Sequence, residues 1–324
     1  MPNIKKKSRV ESIVEMRAKH SKASQKPSPT VVSKATSKKI DDVRALLRKK
    51  YKIEVLTTLA NGSRDANIQA LRSGWPALDD LITGETDPKC RTIEGTGLGW
   101  PRGRIIEVFG DEAVGKTTIC CQIVAAFQAA GEEAAYVDAE HALEVTYAAK
   151  LGVDMQRLQF AQPDSAKQAL QIVAELCGSG AFGVVVVDSV AALVPEAEVE
   201  GDMGDHHVAL QARLMSQALR KLTSVVARSN VLLVFINQMR MKIGVRFGNP
   251  KTTTGGGALK FYASVRLEMV NVKTLKKGTR VIGRRIRIRT VKNKVAPPFR
   301  EVFADFEPNI GIARIHTDPD LDDE

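Results

Sequence analysis

The sequence has no run of about 18 consecutive apolar residues, the length that a membrane-spanning helix requires. Its first residues also lack the apolar segment of a secretory signal. No two of its four cysteines have Cys-x-x-Cys spacing, which argues against a disulfide framework and against structural zinc. We therefore expect a soluble cytoplasmic protein without a membrane partner, in which Cys90, Cys120, Cys121 and Cys177 are free thiols.

Acidic residues are almost missing from one long tract. Residues 206–300 contain 21 Lys and Arg but a single acid, Glu268, whereas residues 105–205 contain 4 basic and 17 acidic residues. The last segment, 301–324, has one Arg and 8 acids. Because the basic tract lies inside sequence that reads as folded, it indicates a surface that neutralises a polyanion. The alternative is a scattered, solvated surface.

The hydrophobic fraction of 44% over 324 residues suffices for a core and excludes wholesale disorder. Residues 1–39 are rich in Lys and Ser and poor in acids, so we expect a disordered basic arm that either binds DNA loosely or is an organellar transit peptide. Residues 40–70 form a helix and linker for subunit packing. In this helix, Ile40, Val43 and Leu46 share one face, and Asp41 and Asp42 occupy the first turn.

From residue 104 onward, apolar β-rich segments alternate with helical patterns, which is typical of an α/β domain. Four consecutive valines at 184–187 indicate a strand that is buried on both faces of a parallel sheet. The predicted fold is therefore a mostly parallel central sheet flanked by helices. Strands are expected at 105–109, 134–137, 157–160, 184–187 and 231–236, with a last core strand near 298–312.

A later segment has a different pattern. Arg285, Arg287 and Arg289 alternate with apolar residues, the two-residue period of a strand with one solvated face. We expect that face to be cationic.

A phosphate-loop motif follows the first predicted strand and leads into an apolar helix at 118–130. Its glycines allow backbone N–H groups to face phosphates, and the helix N-terminus adds positive potential. Lys116 would reach the β- and γ-phosphates of ATP, and the Thr117 hydroxyl suits Mg²⁺. The candidate nucleotide residues are Gly110, Asp111, Glu112, Ala113, Val114, Gly115, Lys116, Thr117 and Thr118.

Two acids come at the carboxyl ends of predicted strands. Asp188 comes at the end of the valine strand, where a carboxylate would hold Mg²⁺ together with Thr117. Glu140 follows the strand at 134–137 and is a candidate general base for the attacking water. The alternative for Glu140 is a helix-capping acid.

From about residue 71 to 312, the sequence resembles the RecA-type DNA recombinases. The segments that support this resemblance are residues 110–118, 137–143, 185–193, 215–218, 235–238, 240–245, 247–250, 252–256, 258–266 and 291–294. A general phosphate-loop ATPase would share only the first and third of these segments.

The resemblance implies roles for residues at the nucleotide site. Glu140 matches the family's catalytic glutamate, and Gln238 matches its nucleotide sensor. Tyr147 matches the aromatic that packs on adenine, with Glu144 beside the base. Lys292 and Lys294 match lysines that reach the ATP of the adjoining subunit.

The resemblance also implies two DNA-binding loops, at about 200–208 and 239–257, that bind without strong sequence preference. The helix after the first loop places Arg213, Ser216 and Arg220 on one face and a line of apolar residues, Leu210, Leu214, Ala218 and Leu222, on another. The candidate DNA-binding residues are Met203, Val208, Arg213, Ser216, Arg220, Arg240, Lys242, Arg246, Lys251, Gly255 and Gly256.

Some features depart from the family pattern. Residues 85–96 look like an insertion, Asp111, Ala113, Val114 and His206 are unusual at their motif positions, and the family's usual C-terminal domain is replaced by an acidic tail at 313–324. Duplex capture or its regulation is therefore in question.

These features together predict an ATP-dependent recombinase with Mg²⁺ as cofactor. It would form a homo-oligomeric filament on single-stranded DNA, hydrolyse ATP to ADP and phosphate, and pair that strand with homologous duplex. Recombination mediator proteins are further expected partners. The alternatives are an accessory protein that binds ATP and DNA with little hydrolysis, and a ring helicase built on the same core.

Overall fold

The computed structural model describes residues 34–51, 68–84, 98–193, 208–241 and 251–319. The chain divides into two units, residues 1–66 and 67–324. The insertion near 85–96, with Cys90, and most of the basic arm lie outside the described residues. Within the described ranges, no helix has the length and apolar content that a bilayer crossing requires.

The first unit contributes one described helix, α1 (Lys34–Tyr51). It begins before Ile40, so the prediction that Asp41 and Asp42 occupy its first turn is wrong, and no acid lies in that turn. The reason is that residues 34–39 continue the helical pattern at the end of what we expected to be a disordered arm. Asp41 instead forms an ion pair with Arg44 at 3.1 Å, one turn along.

The second unit has an α/β architecture, as predicted. Its helices are α2 (Pro76–Thr83), α3 (Lys116–Ala129), α4 (Val145–Lys150), α5 (Ala166–Ser179), α6 (Val208–Ser229) and α7 (Ala258–Tyr262), with a 3₁₀ turn at Val190–Ala192. Its strands are β1 (Ala70–Leu71), β2 (Trp100–Pro101), β3 (Ile105–Gly110), β4 (Glu133–Asp138), β5 (Gln159–Ala161), β6 (Phe182–Asp188), β7 (Leu232–Met241), β8 (Lys251–Thr253), β9 (Val265–Lys277), β10 (Arg280–Asn293), β11 (Glu301–Glu307) and β12 (Gly311–His316).

One large sheet organises this unit. Its strand order is β12-β11-β10-β9-β3-β7-β6-β4-β5, and β8 pairs with the end of β7. The six strands from β9 to β5 run parallel, whereas β10, β11 and β12 are added by antiparallel pairing. β1 and β2 form a separate two-stranded ribbon. The carboxyl ends of the parallel strands meet at one edge of the sheet, where ligands of such folds bind.

Two apolar clusters cover the faces of the sheet. On one face, Ile106 and Val186 pack with residues of α2 and α3. On the other face, Val185 and Phe235 pack with residues of α5 and α6. The four valines at 184–187 are all fully buried, because helices cover both faces of β6.

Helix α6 buries one apolar stripe against the sheet. Met215, Leu219, Leu222 and Val226 are each at most 1% exposed, while Leu210, at the start of the predicted apolar line, is 39% exposed. The rest of that line, Leu214, Ala218 and Leu222, borders a groove against α5. Leu214 and Ala218 pack at the edge of the core, and Leu222 lies within it.

The arginine-rich strand is not a free cationic surface, which corrects the prediction. Arg285 is 1% exposed, and its Nε donates to Oδ1 of Asp305 on β11 at 2.7 Å. Arg287 lies 3.9 Å from Glu301 on the same neighbouring strand. The acids come from the segment after the basic tract, so antiparallel pairing of β10 with β11 neutralises much of the arginine face.

The chain end also differs from the prediction. The expected strand near 298–312 is two strands, β11 and β12, joined by a turn in which Asn309 has a φ of 68°. Residues 313–316 belong to β12, so they are part of the sheet rather than of an acidic tail. Residues 320–324 lie outside the described residues.

Candidate nucleotide and DNA site

The phosphate loop leaves β3 at the carboxyl edge of the sheet and enters α3 directly. Ala113 and Gly115 have left-handed backbones, with φ of 55° and 88°. A side chain at Gly115 would come within 2.8 Å of the Phe306 ring, and one at Gly110 would overlap the Met269 carbonyl oxygen. Glycine is therefore required at Gly115 by its left-handed backbone and by close packing, and at Gly110 by close packing alone.

Lys116, the first residue of α3, points back into the loop. Its Nζ donates to the carbonyl oxygens of Asp111 at 2.7 Å and of Gly110 at 3.4 Å. Burial lowers the pKa of Lys116, and the negative charges of Asp188 and Glu140 oppose that shift. Within the described ranges, no carboxylate lies at ion-pair distance from this ammonium, so phosphate oxygens can replace the carbonyl acceptors.

Asp188 ends β6 beside the loop. Its Oδ2 accepts hydrogen bonds from the Thr117 hydroxyl at 2.9 Å and the Tyr136 hydroxyl at 2.7 Å, while its buried Oδ1 has no hydrogen-bond partner among the described residues. Burial raises the pKa of Asp188 to about 6, although these two hydrogen bonds oppose the rise. A hydroxyl and an unpaired carboxylate oxygen are the hard ligands that Mg²⁺ prefers, so this pair fits the ion.

The sequence analysis missed the role of Tyr136. Its ring is 1% exposed within β4, where it reads as an ordinary core aromatic. Burial and the neighbouring Asp188 raise its pKa well above the usual value, so the hydroxyl remains a donor. Only the pairing of β4 with β6 brings the phenol to the carboxylate.

Glu140 and Gln238 meet across the same edge. Nε2 of Gln238 donates to Oε1 of Glu140 at 2.6 Å, and Glu140 is exposed to solvent. The turn that carries Glu140 is fixed by buried Asp138, whose carboxylate accepts from the N–H groups of Ala142 and Leu143. Gln238 is not at the end of its strand as expected, because β7 continues to Met241.

A cavity of about 360 Å³ opens beside the loop, within the size range of small-ligand pockets. Tyr147 lines it, and its hydroxyl lies 3.0 Å from the Thr118 hydroxyl. Glu144 does not line the cavity but caps α4 by accepting from the N–H groups of Thr146 and Tyr147. The remaining lining residues are Ala113, Val114, Gly115, Thr118, Val281, Gly283, Arg284, Ile286, Phe306, Glu307 and Pro308.

Most of the far wall of this cavity was not predicted. Val281, Gly283, Arg284 and Ile286 come from β10, and Phe306 comes from β11. These residues are distant in sequence and carry no motif, so only the sheet order brings them to the phosphate loop. Arg284 also donates to the carbonyl oxygen of Ala113 at 3.1 Å.

Lys292 and Lys294 lie away from this cavity. Lys292 pairs with Arg266 near the start of β9, and the backbone N–H of Lys294 donates to Ser264 at 2.9 Å. Because β9 runs parallel to β3, these lysines lie toward the amino-terminal edge of the sheet, opposite the phosphate loop. Nζ of Lys292 donates to the carbonyl oxygens of Lys260 at 2.7 Å and Phe261 at 2.8 Å.

The candidate DNA residues are described only in part. Met203, Lys242 and Arg246 lie outside the described residues, and the side chains of Val208 and Lys251 are not described. Arg213 and Arg220 are exposed on α6, whereas Ser216 donates back to the carbonyl oxygen of Ala212 at 2.8 Å.

The second predicted loop is paired at its base. Met239–Met241 pairs with Lys251–Thr253, and Arg240 is exposed within that pairing. Gly255 and Gly256 follow with positive φ of 76° and 74° and approach Val190 and Ala212. β6 and β7, the strands that precede the two predicted loops in sequence, lead to the sheet edge that also carries the phosphate loop.

Comparison with known proteins gives consistent matches. The family model of the RecA N-terminal domain matches residues 38–313. Protein RecA 1 of Myxococcus xanthus is 51% identical over 271 residues, which is 84% of this chain and 75% of that protein. Protein RecA of Geobacter metallireducens is 60% identical over 217 residues, 67% of this chain and 64% of that protein. Protein RecA of Citrifermentans bemidjiense is 50% identical over 277 residues, 86% of this chain and 78% of that protein.

Proposed function

This chain belongs to the RecA family, whose members are DNA-dependent ATPases and recombinases, and we propose that its ATP is held between successive protomers of a filament on single-stranded DNA. The recombination and repair function follows from the family. The assignment of roles to individual residues is our proposal. The observation that carries it is the convergence of Lys116, Thr117, Asp188, Glu140 and Gln238 at one edge of the sheet.

In this proposal, Lys116 and the N–H groups of the phosphate loop bind the phosphates, while Thr117 and Asp188 hold Mg²⁺. The ion supplies charge neutralisation at the phosphates. Glu140 orients and deprotonates the attacking water, and its hydrogen bond to Gln238 keeps the carboxylate at that position. Tyr147 packs on the base in the cavity that it lines.

Lys292 and Lys294 act on the nucleotide of the adjoining protomer. Their position toward the sheet edge opposite their own phosphate loop supports this, since the active site is then completed only when two protomers stack. The carbonyl groups of Lys260 and Phe261 hold the Lys292 ammonium until phosphate oxygens replace them.

Filament assembly also needs a contact for α1. Ile40, Val43 and Leu46 of this helix are 41%, 50% and 63% exposed. Such an exposed apolar surface is unfavourable in water and indicates a contact site. We propose that α1 of one protomer occupies the groove between α5 and α6 of the next. That groove has a floor of Leu170, Ala174, Leu214 and Ala218 and rims of Lys167 and Lys221.

Single-stranded DNA would lie along the edge that carries both loops, held by Arg213, Arg220 and Arg240 and by the glycine-rich end of the second loop. These cations contact phosphates rather than base edges, so homology is read by base pairing with the duplex. The relatives reported above are bacterial proteins, which favours a cytoplasmic location over an organelle.

Substitution of the proposed general base tests the assignment. Glu140→Gln keeps the hydrogen-bonding shape but removes the proton acceptor. We expect DNA-stimulated ATP turnover to fall by at least about 10²-fold, the scale of a lost general base, while single-stranded DNA binding with ATP persists. Phosphate release and fluorescence anisotropy measure the two properties.

Glu133→Gln, which neutralises a carboxylate at the start of β4 that pairs with Arg157, is the control and should leave turnover unchanged. Wild-type turnover in Glu140→Gln would remove Glu140 from this role.

A further inference from the structure

A buried polar cluster lies between the nucleotide site and the second DNA loop, and no step above uses it. Its centre is Asn237 on β7, beside Glu107 on the neighbouring strand β3. Both residues are 0% exposed. A fully buried carboxylate and amide are costly unless every polar atom has a partner, so their hydrogen bonds define a fixed arrangement.

The carboxylate determines which way the Asn237 amide faces. A carboxylate that pairs with a guanidinium, as Glu107 does with Arg266, accepts hydrogen bonds and donates none. Its Oε2 accepts from Nε of Arg266, whose guanidinium lies 4.5 Å from the Phe109 ring centroid, and its Oε1 accepts from Nδ2 of Asn237 at 2.8 Å. Nδ2 must therefore face Glu107, which directs Oδ1 of Asn237 away from β3.

On that other side, Asn237 holds the returning strand of the second loop. Its Oδ1 accepts from the Thr254 hydroxyl, and its Nδ2 also donates to the Thr254 carbonyl oxygen at 3.2 Å. Thr254 directly follows β8, which pairs with β7 at Met239–Met241. The two hydrogen bonds between Asn237 and Thr254 thus close the base of the loop.

The same Oδ1 also accepts a hydrogen bond from a residue of the candidate nucleotide site. It accepts from the backbone N–H of Gln238 at 2.9 Å, and the Gln238 side chain donates to Glu140 at 2.6 Å. One carbonyl oxygen is therefore shared between the backbone of the proposed nucleotide sensor and the hydroxyl at the base of the DNA loop. A displacement of either donor changes the geometry available to the other.

We propose that Asn237 is a positioning residue that couples the nucleotide sensor Gln238 to the second DNA loop through Thr254, with Glu107 and Arg266 as its fixed anchor. The proposal rests on the proposed function, because it assigns regulation to the same site. Coupling of this kind is reciprocal: if ATP raises DNA affinity by a given factor, DNA raises ATP affinity by the same factor.

The test removes one hydroxyl. Thr254→Val keeps the size and branching of the side chain but cannot donate to Asn237, whereas Thr254→Ser retains the donor and is the matched control. Each full-length protein is titrated with a fluorescent oligonucleotide, with and without a non-hydrolysable ATP analogue. The reverse titration uses a fluorescent ATP analogue with and without the oligonucleotide.

We expect Thr254→Val to reduce both affinity gains by about fivefold to tenfold, to the same extent, within the usual range of coupling between two sites. Thr254→Ser should keep the wild-type gains. Affinity for the ATP analogue without DNA should be unchanged in both variants, since Thr254 does not touch the nucleotide cavity. Thermal unfolding establishes that each variant is folded, and Thr254→Ala replaces the valine variant if that one is not.

Two results would overturn the coupling role. One is an affinity gain equal to that of the wild-type protein in a folded variant that lacks the Thr254 hydroxyl. The other is an equal loss of DNA affinity with and without the nucleotide, which would make Thr254 a structural residue of the loop. A wild-type protein that shows no affinity gain in either titration would instead contradict the proposed function.

Discussion

The environment of Arg285 makes this residue one half of a buried ion pair rather than a surface cation. Its guanidinium is 1% exposed and donates to both carboxylate oxygens of Asp305, at 2.7 Å and 3.0 Å. His316 Nε2 lies 3.5 Å from the same carboxylate. Burial acts to raise the pKa of Asp305, but the hydrogen bonds and charges of Arg285 and His316 outweigh it, so the pKa is lowered.

This ion pair predicts a stability that depends on pH. A carboxyl group whose pKa is depressed by folding adds stability above its ordinary pKa and loses it as the pH falls through the folded value. Asp305→Asn removes a counter-ion of the buried Arg285, so we expect the free energy of unfolding at pH 7 to fall by about 3–5 kcal/mol. The difference from wild type should shrink as the pH falls below about 4, the ordinary range of an Asp carboxyl.

Guanidinium unfolding at pH 7 and at the lowest pH where the protein remains folded measures this difference. Glu301→Gln is the control, because Glu301 is only an exposed partner of Arg287 at 3.9 Å and should contribute less than about 1 kcal/mol. Equal losses of unfolding free energy in the two variants would show that burial of the Arg285–Asp305 pair does not increase its contribution to stability.

Among the described elements, α1 has an apolar face that is largely exposed. Ile40, Val43 and Leu46 are each more than two-fifths exposed. Short isolated helices are marginal in water and gain most of their stability from packing. The groove between α5 and α6 offers an apolar floor on which such a helix can pack.

Val43→Glu tests this packing, because it places a charge on the apolar face of α1. Burial of a valine contributes about 1.5–3 kcal/mol, so the protein concentration needed to form filaments on single-stranded DNA should rise at least about tenfold. Sedimentation and electron microscopy measure assembly. Ala45→Glu adds the same charge on another face of the helix and should assemble like wild type. Equal defects in both variants would contradict docking through the Val43 face.

At the scale of the whole molecule, the sheet separates the phosphate loop from the two lysines that we propose to act on the neighbouring ATP. Lys116 lies at the carboxyl edge of β3, whereas Lys292 and Lys294 lie toward the opposite edge. If a filament stacks protomers so that these edges meet, each ATP is contacted by two chains. The nucleotide then determines filament geometry as well as turnover.

Mixing two inactive variants tests this arrangement. Glu140→Gln retains its lysines, and Lys292→Ala retains its glutamate. If Lys292 acts on the neighbouring ATP, an interface between the two variants in one order contains an intact Glu140 and an intact Lys292. In a random equal mixture, roughly a quarter of the interfaces have this order. ATP turnover should therefore recover to roughly a quarter of the wild-type rate, if the interfaces act independently. Phosphate release by the mixture, compared with each variant alone, measures the recovery. A mixture no more active than its components would place Lys292 at its own protomer's ATP.

Local sequence determined the nucleotide-binding elements. The Gly110–Thr118 motif, the buried valine strand before Asp188 and the helix after Lys116 are short-range patterns, and chain connectivity alone places them in order. The α/β class followed from the same alternation of strands and helices. Predicted boundaries differed by a few residues, as for β7, because pairing with β8 extends that strand beyond its apolar segment.

Tertiary structure decided the features that depend on long-range strand pairing. The order of the sheet brings β10 and β11 to the phosphate loop, Tyr136 to Asp188, Asp305 to Arg285 and Thr254 to Asn237. In each case the contacting residues come from separate elements, and neither side chain by itself indicates the contact. Hydrogen bonding and burial depend on distance in space, so a chemical role that needs two distant residues appears only once the chain has folded.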